Sequence, residues 1–231
     1  MKAISIIFGI IFLCACHRSE TNKTHSIEKQ EQENNLKKNK EQNPKERKHK
    51  DFVTNCHFDQ LSKQFDVKLN VNFIYEDSAK INVIIIDKKT NNTIDSINIY
   101  SEYLMLPWMF GSCENVMSLT TGFNKEKEVV DNSPGDLIVA DFNFDGLDDF
   151  AVAIDNGGNG GYIYQFYLQH TKGKFVIDKF LSEEMLRFPV TFDKKLQTLM
   201  TSVHANAYEN CEIVYQLTGN DWRQISKKFV K

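Results

Sequence analysis

The sequence predicts an all-β fold, with antiparallel sheets in a sandwich, barrel or propeller-like arrangement. Three observations lead there. Phe65, Val67, Leu69, Val71, Phe73 and Tyr75 alternate strictly with polar residues, the period-two signal of a half-buried strand. Further apolar or alternating runs recur at roughly 8–15-residue spacing with turn-forming residues between them, as in sandwiches, barrels and propellers. Only residues 179–186 read as a short helix. No internal repeat is long enough for a full multi-blade propeller.

Taken in order, residues 80–87 and 93–100 follow the first strand as two more, joined by the turn-like run Asp-Lys-Lys-Thr-Asn-Asn. Residues 137–140 lead into an acidic loop, and 150–154 lead out of it. Tyr162, Tyr164, Phe166 and Leu168 alternate along the next strand. Residues 174–178 form another, after a turn at Lys172 and Gly173. Residues 197–204, 211–217 and 222–230 complete the set. Trp108 and Phe110, in Leu-Pro-Trp-Met-Phe, and Trp222 read as core side chains.

The acidic loop runs Asp141-Phe-Asn-Phe-Asp-Gly-Leu-Asp-Asp149. Asp141, Asn143 and Asp145 stand at alternate positions, with Gly146 at the sharp turn and Leu147 offering a backbone carbonyl. This is the order of oxygen ligands in an EF-hand calcium loop. The bidentate Glu of position 12 is replaced by Val152. Asp149 is the expected substitute, with Asp148 as a second candidate. Hard oxygen ligands favour calcium over zinc or copper. The flanking strands separate this loop from the helix–loop–helix of a true EF-hand. The bland alternative is an Asp/Asn/Gly-rich turn between two strands.

The N-terminus reads as a targeting segment. Lys2 is followed by an apolar run over residues 4–13, too short to span a bilayer. Leu13-Cys14-Ala15-Cys16 resembles a bacterial lipobox, with Cys16 the lipidated residue and Cys14 a departure at the variable position. Residues 1–15 are then a lipoprotein signal peptide. Residues 16–50 are the anchor cysteine and a tether, rich in Lys, Glu, Gln and Asn and nearly devoid of apolar residues. As a flexible coil, residues 17–50 reach roughly 30–35 Å. Its ten Lys/Arg against six Glu also allow contact with a membrane surface. His17 is no retention aspartate, so an outer-membrane destination facing the periplasm is expected.

Residues 51–231 form the expected single domain. They carry 17 Lys/Arg and 25 Asp/Glu, whereas the whole chain sums to −3. An acidic domain does not suggest nucleic acid and would attract a cationic partner. Cys56, Cys113 and Cys211 allow one disulfide in an exported protein, and the sequence does not choose the pair.

No catalytic constellation is visible. The histidines fit no metal or hydrolase motif, and no GxSxG elbow occurs. His204, Tyr208 and Glu209 read as a polar loop. Asp148 and Asp149 are placed for ligation better than for acid–base work. The run Asn-Gly-Gly-Asn-Gly-Gly over 156–161 lacks the Lys-Ser/Thr and helix of a phosphate cradle. It reads as a flexible hairpin tip or as a protruding recognition loop. In the second case Gly157, Gly158, Asn159, Gly160, Gly161 and Tyr162 are the candidate partner-binding residues, since glycine permits close approach and tyrosine anchors interfaces.

Residues 136–152 (DLIVADFNFDGLDDFAV), the glycine run and residues 162–168 (YIYQFYL) together resemble bacterial lipoproteins of the immunity type that counter peptidoglycan-hydrolase effectors. These are similar in turn to periplasmic inhibitors of invertebrate-type lysozyme. The match covers about residues 136–178. The resemblance implies a β-rich, propeller-like fold with a single calcium-binding loop at Asp141, Asn143, Asp145, Leu147 and Asp149. It also implies inhibition without catalysis, with a loop plugging the cleft of a lysozyme-like hydrolase. The alternative is a calcium-dependent adhesion or structural lipoprotein with one integrin-like repeat unit, because similar aspartate loops occur in such repeats.

Overall fold

The alternation that begins at Phe65 becomes a strand with one face in the core. In the computed structural model the described residues are 53–74, 77–104, 108–124, 134–170 and 173–231. The signal peptide 1–15, the lipidation residue Cys16, the tether to residue 50 and Tyr75 lie outside them.

The first sheet is a meander of β1 (Val53–Phe58), β2 (Phe65–Phe73), β3 (Ala79–Asp87) and β4 (Thr93–Ser101), paired antiparallel in sequence order. On its core face Val67, Leu69, Val71 and Phe73 oppose Ile85, Val83, Ile81 and Ala79, all buried. On the other face Asn70 Nδ2 donates to Asn82 Oδ1 (3.3 Å), and Asn82 Nδ2 donates to Asn98 Oδ1 (3.0 Å). The period-two pattern thus sorts side chains to opposite faces.

The second sheet contains β5 (Val116–Ser118), β6 (Leu137–Ala140), β7 (Asp149–Asp155), β8 (Ile163–His170) and β9 (Lys174–Ile177). All its pairs are antiparallel except β5 with β6. Every residue of β6 and the first five of β7 are buried, which is why these segments read as continuous apolar runs rather than alternations. The third sheet is again a sequential meander, β10 (Thr191–Asp193), β11 (Thr198–His204), β12 (Asn210–Thr218) and β13 (Asp221–Val230). All three sheets are open, each with two edge strands.

The expected short helix is present as a single π-wound turn, Phe180–Met185. Leu186 N donates to Leu181 O at 2.9 Å, a five-residue step. Ser182 Oγ accepts the amide of Phe166 on β8 at 2.9 Å, so the turn is fastened to the sheet by a side chain as well as by buried Leu181 and Met185.

One core assignment is corrected. Phe110 and Trp222 are buried, but Trp108 is 67 % exposed. Met109 and Phe110 take the two core places in that turn, and Phe110 is pinned there by bonds from both sides of its peptide. Its amide donates to Asp136 Oδ2 (2.8 Å), and its carbonyl accepts from Thr54 Oγ1 (2.7 Å). Three consecutive apolar side chains in a turn do not share one face.

The disulfide joins Cys56 of β1 to Cys113, and Cys211 of β12 is a buried free thiol. The bridge closes a loop with a sequence separation of 57 residues. Loop-closure entropy for such a length amounts to about 4 kcal/mol. Reduction, or the Cys56→Ser, Cys113→Ser pair, is expected to lower the denaturant midpoint correspondingly. Cys211→Ser is expected to act only through local packing. Urea titration of the three forms checks this.

Candidate functional site

The aspartate loop joins β6 to β7 and folds onto its own side chains. Asp145 N donates to Asn143 Oδ1 (3.1 Å), Leu147 N to Asp145 Oδ1 (2.7 Å) and Gly146 N to Asp141 Oδ2 (3.0 Å). Asn143 Nδ2 donates to Asp145 Oδ2 (2.9 Å). Gly146 holds φ at +89°, a conformation that glycine adopts without penalty. Lys194, in the turn after β10, places its ammonium 3.6 Å from Asp141 Oδ2.

Asp149 has a different role from its neighbours. It is fully buried, Oδ2 accepts the amide of Phe142 (2.9 Å), and Oδ1 accepts the amide of Gln169 on β8 (2.7 Å). Burial pushes its carboxyl up to about 8, against the pull of these two donors, and Asp145 and Asp141 push it further. Burial likewise raises Asp141. Two donors favour the carboxylate of Asp149, while burial and two neighbouring acids favour the neutral form. A divalent cation in the loop would decide that balance for the carboxylate.

The donor set fits calcium in kind. Asp141 Oδ1 is buried and without a hydrogen-bond partner, so it has capacity left for a cation. Asp141, Asn143, Asp145 and the Leu147 carbonyl are the groups that would hold the ion, with Asp149 bracing the loop from beneath. Among the described residues no three His, Cys, Asp or Glu side chains converge as a metal cluster. Of the five candidates, Asn143 offers an amide, Leu147 offers a backbone carbonyl, and each oxygen of Asp149 already accepts an amide. Asp148, the second candidate, is turned away. Its Oδ2 accepts from Ser62 Oγ at 2.5 Å, fastening the loop to the β1–β2 connection. Val152, at the place of the EF-hand glutamate, is a buried residue of β7.

The glycine run lies at the other end of β7, about 20 Å away along the strand at ~3.3 Å per residue. Gly158–Gly160 form a 3₁₀ turn, and Gly157, Gly158 and Gly161 have φ of 61°, 58° and 81°. The turn closes on the Arg187 guanidinium, whose Nη1 donates to the Gly161 carbonyl. A Cβ on Gly157 would collide with both Gly161 O and Arg187. Arg187 is itself half-buried, and burial lowers its pKa against the opposing charge of Asp155. Asp155 Oδ1 accepts the amide of Gly157 (2.6 Å). Tyr162 is half-buried against the core and Tyr164 and does not form the tip. The exposed aromatic beside the turn is Tyr103, 58 % exposed, whose carbonyl accepts from Asn156 N and Nδ2, both at 3.0 Å. His204, Tyr208 and Glu209 belong to the β11–β12 hairpin, where Glu209 O accepts from Ala205 N (2.9 Å).

Sequence reasoning missed Arg187, Tyr103 and a groove of about 510 Å³ between the second and third sheets. The groove is lined by Asn143 and Asp145 of the loop, Gln169 and Val176 of the second sheet, and Gln197 and Trp222 of the third. These parts are distant in sequence, so no local signal joins them.

No protein-family model and no curated protein matches the chain. Among solved structures, a protein described as a Xanthomonas type IV secretion system related protein is similar at a TM-score of 0.50 and 15 % identity. The match covers 77 % of this chain and 86 % of that one. At this identity the likeness is one of fold.

Replacing Asp149 tests its bracing role without reference to any ion. In EDTA, Asp149→Ala leaves two buried amides unpaired at about 1–3 kcal/mol each. The expected loss of unfolding free energy is therefore about 2–6 kcal/mol, with Asp149→Asn intermediate because one acceptor remains. A full loss in the Asn variant would place the effect in charge instead.

Proposed function

We propose that the chain is a lipid-anchored, calcium-stabilised binding protein of the cell envelope that inhibits a lysozyme-like peptidoglycan hydrolase. Its three sheets, two of them sequential meanders, are the blades of a propeller-like array. The observation that carries the reading is the glycine turn. It is held in one shape by Arg187 and Asp155, flanked by exposed Tyr103, and placed away from the aspartate loop. A preformed turn with no bulky side chains suits insertion into a narrow cleft, because little ordering is needed on binding. Gly157, Gly158, Asn159, Gly160, Gly161 and Tyr162 are its partner-binding segment. Calcium at Asp141, Asn143, Asp145 and Leu147 acts as a structural staple. Cys16 carries the lipid, and the tether spans the distance from the membrane.

Two further considerations support this. The resemblance of residues 136–178 points to immunity-type lipoproteins. The protein of similar fold is described as a type IV secretion system related protein.

The calcium part is tested by thermal unfolding. Calcium is expected to raise the melting temperature above that in EDTA, and Asp145→Ala to abolish the difference. Equal curves for the wild type in calcium and EDTA would remove the ion from the account.

The inhibitor part is tested by titrating the protein against a panel of lysozymes and secreted peptidoglycan hydrolases. Gly157→Ala, whose Cβ has no room and whose φ is 61°, is expected to reshape the turn and lose inhibition, with some loss of stability. Gly219→Asn, in the β12–β13 turn, meets nothing within 4 Å and keeps a left-handed conformation open to asparagine, and it is expected to retain inhibition. Absence of any complex across the panel sinks the inhibitor reading.

A further inference from the structure

Oxygen-bearing and aromatic side chains alternate in the aspartate loop. Asp141, Asn143 and Asp145 are the first series, and Phe142 and Phe144 the second. Phe142 is fully buried, edge-on to Phe166 of β8 (5.1 Å) and Phe188 (5.9 Å), and 5.8 Å from Phe192 of β10. Phe144 is 8 % exposed, and its ring lies 6.3 Å from that of Trp222 on β13. A loop of the second sheet therefore inserts two rings against the third. Phe144 does so with φ at 63°, a backbone conformation disfavoured for a bulky residue. Its surroundings must hold it there.

We propose that the aspartate loop is a cation-operated latch between the second and third sheets. The proposal rests on the calcium reading given above and adds what the ion controls. Asp141, Asn143 and Asp145 hold one another and the loop amides through hydrogen bonds. A divalent cation ligated by them draws the oxygen-bearing residues to one side. The alternation then holds Phe142 and Phe144 on the other side, in the core. Without the ion, those hydrogen bonds alone set the width of the loop. Phe144 is released first, because Phe142 is additionally tied through its amide to Asp149. Lys194 also bridges loop and third sheet, but its side chain is 72 % exposed. A surface ion pair of this kind contributes little and does not replace a divalent ion. Since Asn143, Phe144, Asp145 and Trp222 line the inter-sheet groove, the latch also sets the shape of that groove.

The test uses the full chain carrying Trp108→Phe, which leaves Trp222 as its one tryptophan. Calcium added after EDTA treatment is expected to shift Trp222 emission to shorter wavelength. It is also expected to raise amide protection in β10 and β13 by about tenfold, equal to ~1.4 kcal/mol. Protection in β2 and β3 should stay unchanged. Phe144→Gly, which keeps every ligand and relieves the positive φ, is expected to retain calcium protection at the Gly146 and Leu147 amides while losing the Trp222 response. A wild-type calcium response confined to the loop amides overturns the latch and leaves the calcium site standing. No response even at Gly146 and Leu147 overturns the calcium reading, and the latch with it.

Discussion

The carboxyl group of Asp149 is the contact on which the rest of this domain depends. It sits at the first residue of β7, fully buried, and satisfies one amide from the loop that precedes it and one from the neighbouring strand β8. Buried amides without partners are costly, so loop, β7 and β8 are fixed relative to one another by a single side chain. That fixation sets the direction in which the loop leaves β6, and with it the sides taken by the oxygen-bearing residues and the phenylalanines. The adjacent Asp148 extends the same fixation to the first sheet through Ser62. Two consecutive aspartates thus point to different sheets, one bracing the loop and the other tethering it.

The domain separates its structural chemistry from its proposed recognition chemistry along one strand. The acidic loop is at the start of β7, and the glycine turn follows its end. At the loop end, carboxylates are crowded and a cation is the natural complement. At the turn end, opposite charges lie near one another. Arg187 lies within the turn with Asp155 near it, so the backbone there is shaped without a net demand for a counter-ion.

Much of this was legible locally. The alternation of β2, the turn after β3 and the strands on either side of the aspartate loop all appear where hydropathy and turn residues put them, because each is dictated by neighbours two or three positions away. The short strands β1, β5 and β10 were not anticipated. The inward residues of β1 are Thr54, Cys56 and Phe58, a weak apolar signal, and β5 and β10 have three residues each. Trp108 was misassigned because hydrophobicity says what a residue prefers and not whether a place exists for it. Met109 and Phe110 occupy the places available.

From the sequence alone followed the all-β class, the aspartate loop with its alternating oxygen-bearing side chains, and the glycine run as an exceptional stretch of backbone. These depend on local periodicity and on the conformational range of single residues. Only the tertiary structure decided that Cys56 pairs with Cys113, that Asp149 braces amides, that Asp148 turns to Ser62, and that Arg187 closes the glycine turn. Each of these joins parts of the chain that are far apart or chooses among acceptors that look alike in sequence. Such choices are made by packing, which brings one partner within reach and buries the others out of it.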